Sequence, residues 1–226
     1  MRALMIALVA TLAAECSRTP PEDFPPRPAT SSLPAPAVSP VAAAPTPVPS
    51  AQAATASAPL EAASARCVVP TPSSAPPPVA PGPAPGCPAD PEGGPPRVPV
   101  VHVAFPDVPG VAVEAELVAS EHDTTRGLMY RKSMPEGHGM LFRLAERREQ
   151  QFWMHNTCIP LDLLYVDEDG LVVGIVENAP TLDDGPRGVA CPSRYVLEVN
   201  AGWARKHGVK AGQRMTIPRE ALAAGR

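Results

Sequence analysis

What most constrains this 226-residue chain is where its prolines fall: 25 of the 33 lie between Ser17 and Pro99. Proline has no amide hydrogen to give a helix or a central strand, and its ring fixes its own backbone angle. Over the same tract Phe24 is the only aromatic residue, so little apolar surface offsets the entropy of ordering the backbone. Runs such as Pro-Ala-Pro and Pro-Thr-Pro-Val-Pro recur without a fixed period, which favours extended polyproline II broken by mobile Ala/Ser segments. Residues 17–97 therefore read as a disordered, semi-stiff linker. Folding falls to residues 98–226, which hold both tryptophans and all three tyrosines and are numerous enough to bury one stable core.

Ahead of the linker, Met1-Arg2 and the apolar run from Ala3 to Ala14 are too short to span a bilayer and fit a secretory signal. Residues 1–16 are thus expected to direct export to the periplasm or cell envelope. Leu12-Ala13-Ala14-Glu15-Cys16 resembles a bacterial lipobox, which makes Cys16 the candidate for acylation. The residue before that cysteine is normally Gly, Ala or Ser and here is Glu15, so plain cleavage near Ala14 stands as the alternative. An uncleaved membrane anchor is the third possibility, and any membrane contact is expected only through the N-terminus.

In the folded segment, short β-branched runs separated by turn residues predict a mainly β domain. Val98 to Phe105, broken by Pro99, suits an edge strand; Val111 to Val118 alternates with Glu114 and Glu116 on one face. Ser120 opens a capping signal for a helix reaching about Arg131. Leu161 to Val166, the turn Asp167-Glu168-Asp169-Gly170 and Leu171 to Val176 form the clearest hairpin. The turn's acids lack the terminal glutamate of a calcium loop. Glu146 to Glu149 reads as a solvated loop, Arg194 to Val199 as a strand, and Ala201 to His207 as a short helix capped by Asn200.

At the centre lies Phe152-Trp153-Met154-His155-Asn156-Thr157-Cys158-Ile159-Pro160-Leu161-Asp162. Alternation puts Phe152 and Met154 on one side and Trp153 and His155 on the other, and Asn156-Thr157 is corner material. Arg126-Gly127-Leu128-Met129-Tyr130-Arg131, Gly139-Met140-Leu141-Phe142, Phe152 to Thr157, Pro160-Leu161-Asp162 and Val196-Leu197-Glu198-Val199, in that order, resemble the family called domain of unknown function 192 over about residues 111–217. The resemblance implies a compact β-sandwich or barrel of jelly-roll type with one or two short helices, in a family whose biochemical role is unsettled. The family often has Lys or Arg where this chain has His155, which counts against a mechanism needing an imidazole there.

The chemistry to be expected is binding. The candidate surface is the corner of Trp153, His155, Asn156 and Asp162, joined by Arg126 and Arg131 if the helix packs there. An exposed Trp153 beside polar groups would suit an envelope saccharide or peptide. A hydrolase using Asp162 or Glu198 with His155 is the alternative; it requires those side chains in one pocket, and carboxylates on opposite faces would remove it. A purely structural spacer would lack any substantial pocket. The five histidines show no metal-ligand spacing, and no motif points to a cofactor. A formal net charge of −4 and only three lysines leave a nucleic-acid partner little electrostatic footing. Cys158 and Cys191, the only cysteines of the folded segment, are the candidate disulfide in an oxidising compartment, with a nucleophilic cysteine as the alternative; Cys67 and Cys87 could close a loop of their own, although a disordered tract gives no geometric reason for them to meet.

Overall fold

The structure, a computed structural model, describes residues 66–223. The expected export signal, Cys16 and the expected linker up to residue 65 lie outside the described residues. Within them the chain is mainly β, as expected. Strands β1 (Val100–Ala104), β2 (Ala112–Val118), β3 (His138–Glu149), β4 (Leu161–Val166), β5 (Val172–Ala179) and β6 (Pro192–Asn200) form one sheet in the order β1-β2-β3-β6-β4-β5. Neighbours are antiparallel except β2 and β3; a parallel pair needs a crossover, and α1 (Glu121–Arg126) lies in it. Two further short helices, α2 (Trp203–Lys206) and α3 (Arg219–Ala223), follow β6.

The hairpin is read correctly because β4 is buried along its whole length: a strand covered on both faces appears as a continuous apolar run. One face of the sheet packs Leu164, Val166, Leu197 and Val199 beneath Trp203. The other packs Leu161, Leu163, Tyr165 and Val196 with Phe142 and Met154.

Element ends differ from expectation for local reasons. Ser120 does cap α1, its Oγ accepting from Asp123 N at 3.1 Å, but the helix stops at Arg126 rather than near Arg131. Gly127 turns there with φ 49°, and a Cβ on it would meet the Phe142 ring at 3.1 Å, so only glycine lets the chain pass so close. Glu146 to Glu149 belong to β3 instead of a loop; their side chains are solvated, yet the backbone pairs with β6 after a register shift between Arg143 and Arg148. Gly202, not Asn200, occupies the N-cap position of α2.

Residues 66–97 require the largest correction. Expected as linker, they run as an irregular strap along the domain. Val69 N donates to Val173 O and Ala84 N to Cys158 O, both at 2.8 Å, and Val68 packs against the core. The expected Cys158–Cys191 disulfide is not formed. Cys191 is bonded to Cys67 and Cys158 to Cys87, with Cα separations of 5.5 and 5.4 Å. A tract too poor in apolar residues to build a core is here ordered by covalent links and by donors on the domain beside it.

Candidate functional site

The corner after β3 is built by lacing two loops together. Phe152 and Arg187 exchange backbone hydrogen bonds at 2.7 Å, and Met154 N donates to Asp183 O at 2.8 Å. Phe152 turns inward, edge-on to Phe142 at 5.0 Å and to Tyr165 at 6.2 Å, and Met154 is fully buried. The alternation read from sequence therefore survives although the segment is not a strand: with its neighbours anchored inside, Trp153 is left 42% exposed. Its ring stacks on His155 at 5.0 Å and 28°, and His155 Nδ1 lies 2.7 Å from Asp184 Oδ1. Trp153, His155 and Asp184 make a flat aromatic platform with a polar edge.

Asn156 connects the platform to α1. It adopts φ 53° and faces Tyr130, which adopts φ 65°, a conformation costly for a bulky residue unless its surroundings enforce it. They do: Tyr130 N donates to Asn156 O at 2.8 Å and Asn156 Nδ2 to the Tyr130 hydroxyl at 3.0 Å. Arg126 lies over the Tyr130 ring, 5.5 Å from its centroid. Its guanidinium is buried and binds both Asp90 carboxylate oxygens at 2.8 and 2.7 Å, the Gly94 carbonyl at 2.8 Å and Glu92 at 3.0 Å. That pairing holds the Asp90 carboxyl below its usual pKa. Arg126 thus lies near Asn156 through Tyr130, but its guanidinium is buried and neutralised by Asp90 and Glu92 instead of being offered at the surface, and Arg131 is engaged elsewhere, bidentate to Glu116 at 2.5 Å.

Asp162 does not join the surface. It is fully buried and accepts from Asn178 N at 2.9 Å, Gly202 N at 3.0 Å and Ala204 N at 2.9 Å. Burial lifts its carboxyl above the ordinary value against three amide donors that favour the charge. It joins β4 to the β5 end and to the start of α2, and both oxygens are used. Glu198 is also buried, and desolvation pushes its pKa up to about 8. Asp162 pairs with Val199 and Glu198 with Leu163, so the two carboxylates point to opposite faces of the sheet. With His155 held by Asp184 at the surface, the acid–base assembly considered from the sequence does not form.

The acidic hairpin turn is likewise engaged: Arg147 binds Asp167 at 2.6 Å, and Arg66 and Arg214 bind Asp169. Among the described residues no group of three metal-ligating side chains occurs, and no helix is long and apolar enough to cross a membrane. A cavity of about 450 Å³ does exist where strap residues Pro78 and Pro81 face Met134, Ile159 and Asn200. Sequence reasoning missed Asp90, Glu92 and Asp184. The first two lay in a tract read as linker, and the third became visible only when two loops distant in sequence met.

The DUF192 model, described as an uncharacterized ACR, matches residues 104–217. A crystal structure from Sinorhizobium meliloti 1021, of a protein provisionally described as a transcription regulator, is 34% identical with a TM-score of 0.52, over 54% of this chain and 97% of that one. A Novosphingobium aromaticivorans protein of unknown function is 32% identical with a TM-score of 0.50, over 53% of this chain and 86% of that one. No curated protein matches.

Proposed function

Since this chain belongs to the DUF192 family, whose role is uncharacterised, we propose that it is an exported binding domain of the cell envelope, anchored through its N-terminus and recognising a saccharide. The observation that carries the reading is the exposed Trp153 ring stacked on His155 beside Asp184. A flat aromatic face with hydrogen-bonding groups at its edge suits a ligand that is apolar on one side and hydroxylated at its rim. Two disulfides support the extracytoplasmic compartment, because cytosolic thiols are kept reduced. Acylation of Cys16 would fix the anchor, and cleavage near Ala14 would release the domain. The cavity of about 450 Å³ argues against a mere spacer, and the opposed carboxylates argue against the hydrolase.

Tryptophan fluorescence tests this directly. Trp203 is buried, so a change in emission on adding soluble envelope saccharides reports on Trp153. A saturable shift reduced in Asp184→Asn is expected, and calorimetric titration, which needs no tryptophan reporter, should show binding lost in Trp153→Phe. Saccharide binding unaffected by either substitution would remove the platform as the site, and peptide binding with the same dependence would replace the saccharide by the other ligand class.

A further inference from the structure

We propose that the domain surface beneath the strap is a recognition groove for an extended, proline-rich segment that carries a pair of carboxylates, and that residues 66–97 occupy it in cis. This is a surface distinct from the Trp153 platform and does not depend on it. The first observation is Arg126. Its side chain is only 5% exposed, yet the carboxylates that neutralise it, Asp90 at 2.7 Å and Glu92 at 3.0 Å, both belong to the strap, as does the Gly94 carbonyl at 2.8 Å. The family match begins at residue 104, so a buried cation of the family domain is satisfied by a segment outside it. Removing a buried charge's partner is far more costly than never having buried the pair; such a guanidinium is built to receive a carboxylate ligand.

The second observation concerns the strap backbone. Proline offers carbonyls and no amide hydrogen, so a surface that holds a proline-rich chain must be rich in donors. Arg205 donates to the carbonyls of Pro72 at 3.1 Å, Ser73 at 3.3 Å and Ser74 at 3.0 Å, and Asn178 Nδ2 donates to Pro77 O at 3.0 Å. At Gly82 the contact is so close that a Cβ would lie 2.8 Å from Ile159 Cγ2 and 2.9 Å from the Cys158 carbonyl. Carbonyl reading along the chain, a close approach at a glycine, and an arginine for the acids are the elements of extended-peptide recognition. The disulfides at Cys67 and Cys87 tie the segment ahead of its carbonyl contacts and just before its two acids. While they are intact the effective concentration of the internal ligand excludes a competitor.

The test uses the full chain with Cys67, Cys87, Cys158 and Cys191 changed to Ser and a protease site inserted between Pro96 and Arg97. After cleavage the strap is held by non-covalent contacts alone, and a labelled synthetic peptide of residues 66–96, with serines for its cysteines, is titrated in. The expected result is saturable binding with displacement of the original strap, weakened at least tenfold by Arg126→Ala in the domain. A peptide carrying Asp90→Asn and Glu92→Gln should be weakened equally; that variant leaves the domain untouched should Arg126→Ala not fold. The uncut, disulfide-bonded protein should not bind. The proposal is overturned if the cut domain keeps its circular dichroism but takes up no peptide, if the peptide without its two carboxylates binds as well as the one that has them, if the disulfide-bonded protein binds as well as the cut one, or if cutting unfolds the domain.

Discussion

Asp162 and Glu198 show how two buried acids of one sheet acquire opposite energetic roles. Asp162 satisfies three backbone amides from separate segments, and leaving a buried donor without a partner costs about 1–3 kcal/mol. Asp162→Ala is therefore expected to destabilise the protein by at least about 3 kcal/mol in urea unfolding; a loss below about 1 kcal/mol would mean that water replaces the carboxylate. Glu198 instead lies between Met140 and Leu163 on neighbouring strands and keeps its proton to about pH 8, against an ordinary value of 4.5. Between those values the folded chain holds a proton that the unfolded chain has released. Stability must then fall as pH rises through that window, by up to about 1.4 kcal/mol per unit. Glu198→Gln removes the ionisable group, so urea midpoints of variant and wild type should be similar at pH 5 and diverge by pH 8.5, with the variant the more stable. A wild-type midpoint that does not fall over that range contradicts the assignment. In the sequence both residues looked like candidate acids; that they are buried and point apart follows from strand register, because a one-residue offset in a strand exchanges faces.

The strap is the element whose behaviour departs furthest from its composition. Each of its disulfides closes a long loop, and removing either by Cys67→Ser or Cys87→Ser is expected to cost about 2–4 kcal/mol in thermal unfolding under oxidising conditions. Proteolytic mapping without reduction should recover Cys67 linked to Cys191 and Cys87 linked to Cys158; a Cys158–Cys191 fragment would contradict the arrangement. The hairpin β4–β5 was legible because an uninterrupted apolar run between turn residues has few alternatives. The end of α1 was less so: Gly127 signals weak helix propensity, but the Phe142 ring that forbids a side chain there comes from β3. For the strap no local signal could suffice, since its partners are 71 and 124 residues away at the disulfides alone.

For the whole molecule, intact mass of protein taken from its own envelope bears on export and anchoring together. A mature chain starting at acylated Cys16, lighter than its reduced form by the hydrogens of two disulfides, is the expected outcome. Cleavage near Ala14 without lipid would leave export standing and remove the anchor, and an unprocessed mass with free thiols would overturn both. That proline divides the chain, that the C-terminal half is mainly β, and that the segment from Phe152 to Asp162 is a corner with Trp153 and His155 on one side could all be read from residue order alone. These are consequences of backbone chemistry and of side-chain period, which act over a few residues. Which cysteines meet, the ordering of a proline-rich strap by Arg126, Arg205 and Asn178, and the burial of Asp162 as a brace instead of a surface group emerge from the assembled fold. Those outcomes depend on donors, acceptors and charges brought together across the sheet, and their burial gives each an energy that no single segment possesses.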